Sequence, residues 1–213
     1  SDIEPNPRQP RQDFDPAALE ELAQSIRENG VITPITLRKT GDTYQIIAGE
    51  RRWRASRMAG LHEIPAVVLD VDENTAYALA LIENLQREDL NPMEEAEGYR
   101  RLTQELGLTQ EQAARRVGIS RPAVANALRL LSLPKAVAAL LRDKEISAGH
   151  ARALLPLEDP ERMEQAAKTV IGQQLSVRQT ELLVKRLLSQ PKDAPEKQPD
   201  IYVADLERAM EAL

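Results

Sequence analysis

A chain of 213 residues, 42% hydrophobic and 29% charged, holds enough material for one or two packed units, and it has no apolar run near the roughly 20 residues that span a bilayer and no signal-peptide pattern at its start. It has no cysteine, which excludes disulfides and thiolate metal sites and fits a reducing cytoplasm; two histidines (His62, His150) argue against a histidine zinc site, and 3% aromatics against a platform for stacked single strands. The net charge of −6 has the wrong sign for nucleic acid as a total, but Gln110 to Arg152 carries eight Lys/Arg against three acids, whereas Lys192 to Glu211 carries three against six, so a DNA partner stays open.

The opening Glu4-Pro5-Asn6-Pro7-Arg8-Gln9-Pro10-Arg11 has too many prolines for a helix or central strand and is expected to lie extended. Asp15 caps a helix with Pro16 at its first position; Leu19, Leu22, Ala23 and Ile26 form its apolar stripe and Gly30 ends it. Ile35-Thr36-Leu37-Arg38 and Tyr44-Gln45-Ile46-Ile47 read as strands around the turn Thr40-Gly41-Asp42-Thr43. The second strand runs into Gly49, where a helix opens at once with Glu50-Arg51-Arg52. Without a Cβ at Gly49, backbone amides can close on an oxyanion at a helix end that favours negative charge, and Arg51 and Arg52 supply forks suited to phosphate. The same residues fit a solvated basic helix face. The helix stops at Gly60, and Ile64 to Leu69 is a third strand with Pro65 at its beginning or on an edge, giving a small α+β domain.

Thr75 to about Glu88 reads as a second long helix, with Leu79, Ile82 and Leu85 at core spacing and Glu83 and Asn84 on another face. A carboxylate beside a carboxamide offers two oxygens to a hard cation, and Mg²⁺ completes its octahedron with phosphate and water; on the residues alone a solvated polar edge fits equally. Gly49-Glu50-Arg51-Arg52 followed by Glu83-Asn84-Leu85-Gln86-Arg87-Glu88 resembles the paired signature of the ParB chromosome-partition family, and the likeness runs from Asn6 to about Gln190. The resemblance implies a pocket for CTP and Mg²⁺. Gln9 and Arg11 would approach its phosphates, Gly49, Glu50, Arg51, Arg52 and Arg87 would hold them, and Thr33 and Pro34 would approach the cytosine. Glu83 and Asn84 would hold the metal, with Gln9 and Glu83 as the catalytic pair near the γ-phosphate.

Asn91-Pro92 caps the next helix, with Met93, Ala96, Tyr99 and Leu102 inward and Gly107 past its end; Glu88, Asp89, Glu94, Glu95 and Glu97 are expected to form a solvated acidic face. From Leu108 to Leu131 the pattern is a helix-turn-helix. Thr109 and Gln112 make a capping box, small Ala113 allows a close crossing, Gly118 takes the turn and Ser120 caps the second helix, with Ile119, Val124 and Leu128 holding the pair. A recognition helix enters the major groove N-terminus first, which places Ser120, Arg121, Ala123 and Asn126, with Gln110 at the start of the first helix, at base edges or nearby phosphates. A plain α-hairpin in a helical core is the alternative. Helices are expected over 135–143, 147–155, 160–171 and 176–189, capped by Ser147, Asp159 and Ser176. Gly149, His150 and Arg152 open a short helix that in the family makes a second base-reading contact; a lone His150 also fits a satisfied structural role. Gln190 to Asp200, with three prolines, is a flexible linker, and Ile201 to Leu213 begins a helix that then stops.

The domains expected are therefore a ParB/sulfiredoxin-like α+β CTP-binding domain over 1–90, an all-α helix-turn-helix domain over 91–190, and over 191–213 the linker and start of a truncated dimerisation region. The resemblance implies a clamp that loads on a palindromic centromere-like duplex, closes as a homodimer on CTP, slides, and resets by slow hydrolysis to CDP and phosphate. It is expected on the cytoplasmic nucleoid without membrane contact, with a ParA-type ATPase engaging an N-terminal tail that this chain lacks. Arg121 and Gly149 look like the partition branch rather than the nucleoid-occlusion branch. Alternatives are that other branch, a simple helix-turn-helix regulator without nucleotide switching, and a phosphoryl-transfer enzyme, since the N-terminal fold resembles sulfiredoxin and certain small-molecule kinases.

Overall fold

A computed structural model describes residues 2–6, 15–87 and 89–189, which divide into two compact units. Of the described residues, the first comprises those up to 87 together with 104–107, and the second those of 89–103 and 108–189. The linker and final helix expected after 190 lie outside the described residues.

In the first unit a mixed sheet has the order β1-β3-β2-β4, with β1 Ile3–Glu4, β2 Ile35–Thr40, β3 Thr43–Ala48 and β4 Ala66–Leu69. β2 and β3 form an antiparallel hairpin, and the short β1 and β4 add in parallel at the two edges. Of the proline-rich stretch only Glu4 joins the edge strand, and its residues 7–11 lie outside the described residues. β4 starts after Pro65, which has no N–H to give to the ladder but accepts a hydrogen bond from Ile35 N at 3.1 Å. Consecutive residues of a strand face opposite sides. Ile46 accordingly packs with Ile35, Leu37 and Trp53 of helix α2 (Glu50–Met58), while Ile47 packs with Ala76 and Ala80 of helix α3 (Glu73–Leu85). Helix α1 (Pro16–Asn29), capped by Asp15, buries Leu19, Ala23 and Ile26 against Ala55 of α2.

The inward face of α3 matches the predicted one only at Leu85. Leu79 is exposed, Ile82 is half-buried, and Ala76, Tyr77, Ala80, Leu81 and Leu85 face the core. Alanines let the helix lie close on β3, so small residues occupy the positions that a search for large apolar side chains gives to leucine. Its cap is also earlier, at Asp72, whose carboxylate accepts from Thr75 N at 2.7 Å.

The second unit is helical: α4 Pro92–Arg100, α5 Gln110–Val117, α6 Arg121–Arg129, α7 Lys135–Arg142, α8 Ala148–Leu154, α9 Pro160–Gly172 and α10 Val177–Ser189. Asn91, Thr109, Ser120, Ser147 and Asp159 cap as predicted, and Ser176 exchanges bonds with Gln179 in the same way before α10. One continuous core runs through Leu130, Val137, Leu141, Leu154, Met163, Ala167 and Leu183. Val124 and Tyr99 are fully buried where α6 meets α4. The acidic face on α4 is not simply solvated. Glu94 closes the capping box with Asn91, Glu95 accepts from the Tyr99 hydroxyl at 2.8 Å, and Glu97 pairs with Arg100 and Arg101. The Arg100 hydrogen bond holds the Glu97 carboxyl below its usual value, and burial followed by the bond to Glu95 raises the Tyr99 hydroxyl. After α4 the chain makes one wide π-helical turn, Arg101–Glu105, which sequence pattern did not announce.

Candidate nucleotide pocket and nucleic-acid interface

Strand β3 carries Ile46 and Ile47 into the sheet and must then turn sharply into α2. Gly49 makes that turn at φ 94°, and as N-cap it has no side chain to bond the first amides of the helix. The unsatisfied N–H groups of Glu50, Arg51 and Arg52 are therefore presented together at the positive end of α2, which is the geometry of an anion site. A Cβ on Gly49 would stand 2.8 Å from Ile35 Cγ2 and 3.0 Å from Arg52 Nη2, so glycine is required by both conformation and space.

The three side chains after Gly49 have different partners. Arg51 is half-buried and makes no hydrogen bond or ion pair among the described residues. Arg52 reaches back across the turn, and its Nη1 donates to Thr33 O at 2.6 Å and to Pro34 O at 2.7 Å. Glu50 turns inward: its side chain is 7% exposed, and Oε1 accepts from Arg54 Nε at 2.9 Å and Nη2 at 2.6 Å. Its Oε2 is buried without a partner. The predicted phosphate residues and the predicted base segment are thus joined by one guanidinium, while Glu50 is committed to Arg54. A register irregularity at Thr36/Leu37 bends β2 beside this corner, where bulges often re-aim a strand end.

Glu83 and Asn84 lie near the C-terminal end of α3, which packs through Ala76 and Ala80 on Ile47, two residues before Gly49. Glu83 is exposed, and Asn84 Oδ1 accepts from Arg87 Nη1 at 3.3 Å. Two oxygens suit Mg²⁺ only if phosphate and water complete its shell; among the described residues no group of three or more His, Cys, Asp or Glu could hold a metal unaided. Gln9 and Arg11 lie outside the described residues. A cleft of about 710 Å³ in this unit, lined by Leu37, Tyr44, Trp53, Ser56 and Val68 among others, contains none of the predicted residues. Its wall is at the opposite end of α2, so the corner at Gly49, with its free amides and arginines, is the better anion site.

In the second unit the turn between α5 and α6 is made by Gly118 at φ 88°. Ser120 Oγ accepts from Ala123 N at 3.3 Å, so the serine predicted to face DNA also caps the recognition helix. Ser120, Arg121 and Ala123 are exposed, Arg121 has no partner among the described residues, and Gln110 is half-buried at the first position of α5. One turn further along α6, Asn126 enters a cleft of about 460 Å³ with Arg129, Gly149, Arg152 and Lys185. Arg129 and Lys185 were not predicted. Arg129 stands three residues after Asn126, a spacing that puts the two side by side on a helix, whereas Lys185 arrives by long-range packing with no sequence signal.

His150 is only half satisfied. Its Nδ1 accepts from Ser147 N at 3.2 Å in a capping box, which places the proton of the neutral ring on Nε2, and that nitrogen is buried without a partner. Its visible task is to cap α8 from within, beside exposed Arg152.

Comparison with known proteins agrees with this division. The family model for the ParB N-terminal domain matches residues 1–85 and that for the ParB HTH domain residues 88–189. The chromosome-partitioning protein Spo0J of Thermus thermophilus is 55% identical over 92% of this chain and 72% of its own, and a probable chromosome-partitioning protein ParB of Pseudomonas putida is 54% identical over 95% and 70%. Among solved structures, a C-terminally truncated chromosome-partitioning protein ParB from Caulobacter crescentus, complexed to the centromeric parS site, is 42% identical, with a TM-score of 0.74 over 87% of this chain and 96% of that one.

Proposed function

Because this chain belongs to the ParB family through both of its units, we propose that it is a chromosome-partition protein: a CTP-dependent clamp that loads at a palindromic centromere-like duplex, closes as a homodimer and slides. Slow hydrolysis of CTP to CDP and phosphate resets it. The observation that carries the reading is the single guanidinium of Arg52, bonded to Thr33 O and Pro34 O beside the bare amides at Gly49. A corner where bare helix amides are joined through one guanidinium to the Thr33–Pro34 segment suits a nucleotide better than an isolated anion.

In this reading the α2 amides and Arg51 bind phosphate oxygens, Arg52 aligns the base segment with the cradle, and Arg87 steadies Asn84. Mg²⁺, held by Glu83 and Asn84, would neutralise phosphate charge and so allow the triphosphate to sit close to them. No strong general base stands at the corner among the described residues, which suits a switch with slow turnover. The free, exposed Arg121 and the cleft around Asn126 serve as the reader of duplex DNA. Nucleotide shifts the population toward closure only to the extent that it binds the closed state more tightly.

Crosslinking between protomers tests this. The chain has no cysteine of its own, so cysteines introduced singly at exposed positions of the first unit report its self-contacts. Crosslinks are expected with CTP and a parS duplex together, and to fall to background with ATP or without nucleotide. Equal yields in every arm would reject the clamp, and calorimetric titration with CTP then shows whether the pocket itself is absent.

A further inference from the structure

The second unit presents a short helix, α8, on whose face Arg152 shares a cleft with Asn126 and Arg129 of the recognition helix. α8 is seven residues long and cannot hold its own position. It is placed by packing against α10, and Gly149 takes part in that packing with no room for a side chain. A Cβ at 149 would stand 2.8 Å from Val177 Cγ2 and 3.4 Å from both Val177 Cγ1 and Ser147 Oγ. Val177 opens α10 directly after the Ser176 cap, and a β-branched side chain in a helix has essentially one rotamer, so it cannot swing aside. The backbone of Gly149 lies within its helix region and has no positive φ. Glycine is needed here for close approach and not for conformation.

We propose that Val177 is a positioning residue for DNA reading: its contact with the bare Cα of Gly149 fixes how deeply α8 sits on α10, and thereby sets Arg152 at the distance from Asn126 and Arg129 that sequence discrimination requires. The inference rests on the DNA-reading role proposed above. An added Cβ at 149 needs about 1 Å more room between α8 and Val177, the gap between 2.8 Å and ordinary carbon contact. Base readout tolerates misplacement of only about 0.5 Å, so the first property lost is preference for the cognate site; attraction to the phosphate backbone is much less sensitive to geometry.

The test measures binding of Gly149→Ala, Val177→Ala and Gly149→Ala/Val177→Ala to a parS duplex and to a scrambled duplex of equal length, with a thermal melt of each variant. Gly149→Ala should lower the ratio of parS to scrambled binding by about tenfold, one base contact's worth, with scrambled affinity nearly unchanged. The double variant should recover most of that ratio, because removing the Val177 methyls restores the clearance. Val177→Ala alone, which loosens the seat of α8 but keeps its glycine, should lower the ratio a few-fold. If Gly149→Ala does not fold, the double and Val177→Ala variants still decide the matter. A wild-type ratio for Val177→Ala, or a double variant no better than folded Gly149→Ala, overturns the positioning role. If the unaltered protein itself fails to prefer parS, the DNA-reading assignment fails instead.

Discussion

Arg52→Ala should separate the proposed nucleotide and DNA sites. Arg52 is half-buried, and its Nη1 is bonded to Thr33 O and Pro34 O at 2.6 and 2.7 Å. A hydrogen bond from a charged donor is worth about 1.5–3 kcal/mol, but this donor and both carbonyls remain partly solvated, so the loss to folding should be about 1–3 kcal/mol for the pair. Nucleotide binding loses more, because the base segment is released and a cation beside the phosphates is removed together. A total of about 2–4 kcal/mol corresponds to roughly 30- to 1,000-fold weaker CTP binding. Arg52→Lys keeps the charge but lacks a planar fork, so it should restore part of the loss and never all of it. Calorimetric titration with CTP and Mg²⁺ reads the nucleotide term, fluorescence anisotropy with a parS duplex reads the DNA term, and urea unfolding reads stability. DNA affinity in the absence of nucleotide should stay within a factor of about two, a few tenths of a kcal/mol. Equal loss of CTP and DNA binding would refute separable sites, and an unaffected CTP affinity would remove Arg52 from the pocket.

Other expectations follow from the same geometry. Gly49→Ala should cost about 2–4 kcal/mol of folding stability, from a left-handed backbone and from contact with immobile Ile35; urea unfolding measures it, and a loss under about 0.5 kcal/mol would contradict the close approach. Arg121→Ala should reduce preference for parS over scrambled DNA by about 1–3 kcal/mol; if both affinities fall equally, Arg121 contacts phosphate and not a base. UTP should compete with CTP poorly, because the Thr33 and Pro34 carbonyls keep a lone pair each for an amino group and would repel the uracil oxygen; equal competition would displace the base from that segment. The Thr75 backbone bond holds the Asp72 carboxyl below its ordinary 3.8, so its contribution is full above that value and is lost as pH falls through the lower folded-state value. Asp72→Asn keeps a cap without that titration, and its urea midpoint should drop less than that of the unaltered protein between about pH 6 and pH 3.

Helix starts were legible because capping is local chemistry. Asp15, Asn91, Thr109, Ser120, Ser147 and Asp159 each bond an amide two or three residues away, within the span over which a sequence pattern is read. The inward face of α3 was legible only at Leu85, because alanines that allow a close approach carry a weak hydrophobic signal, and exposed Leu79 carried a false one. The pairing of Glu50 with Arg54 is written at i, i+4 and was readable; that it buries a carboxylate beside the uncapped amides of α2 was not. Nothing in the chain between Thr33 and Arg52 foretells their bond, nor between Gly149 and Val177 their contact, since both depend on packing across intervening elements.

Two residues at the Gly49 corner depart from expectation in the same way. Arg52 and Glu50 were each expected to turn toward ligand, and each turns partly inward, one to backbone carbonyls and the other to Arg54. That leaves Arg51 and the α2 amides as the groups at this corner with no competing partner among the described residues. On the reading proposed above, a nucleotide held chiefly by amides and one free arginine would displace few existing bonds on arrival. On the same reading, the guanidinium already joined to Thr33 and Pro34 would hold that segment in place before the ligand comes. Preorganisation of this kind favours a ligand of fixed length between base and phosphate, as a nucleotide has, over free phosphate or pyrophosphate, whose binding gains nothing from an aligned base segment.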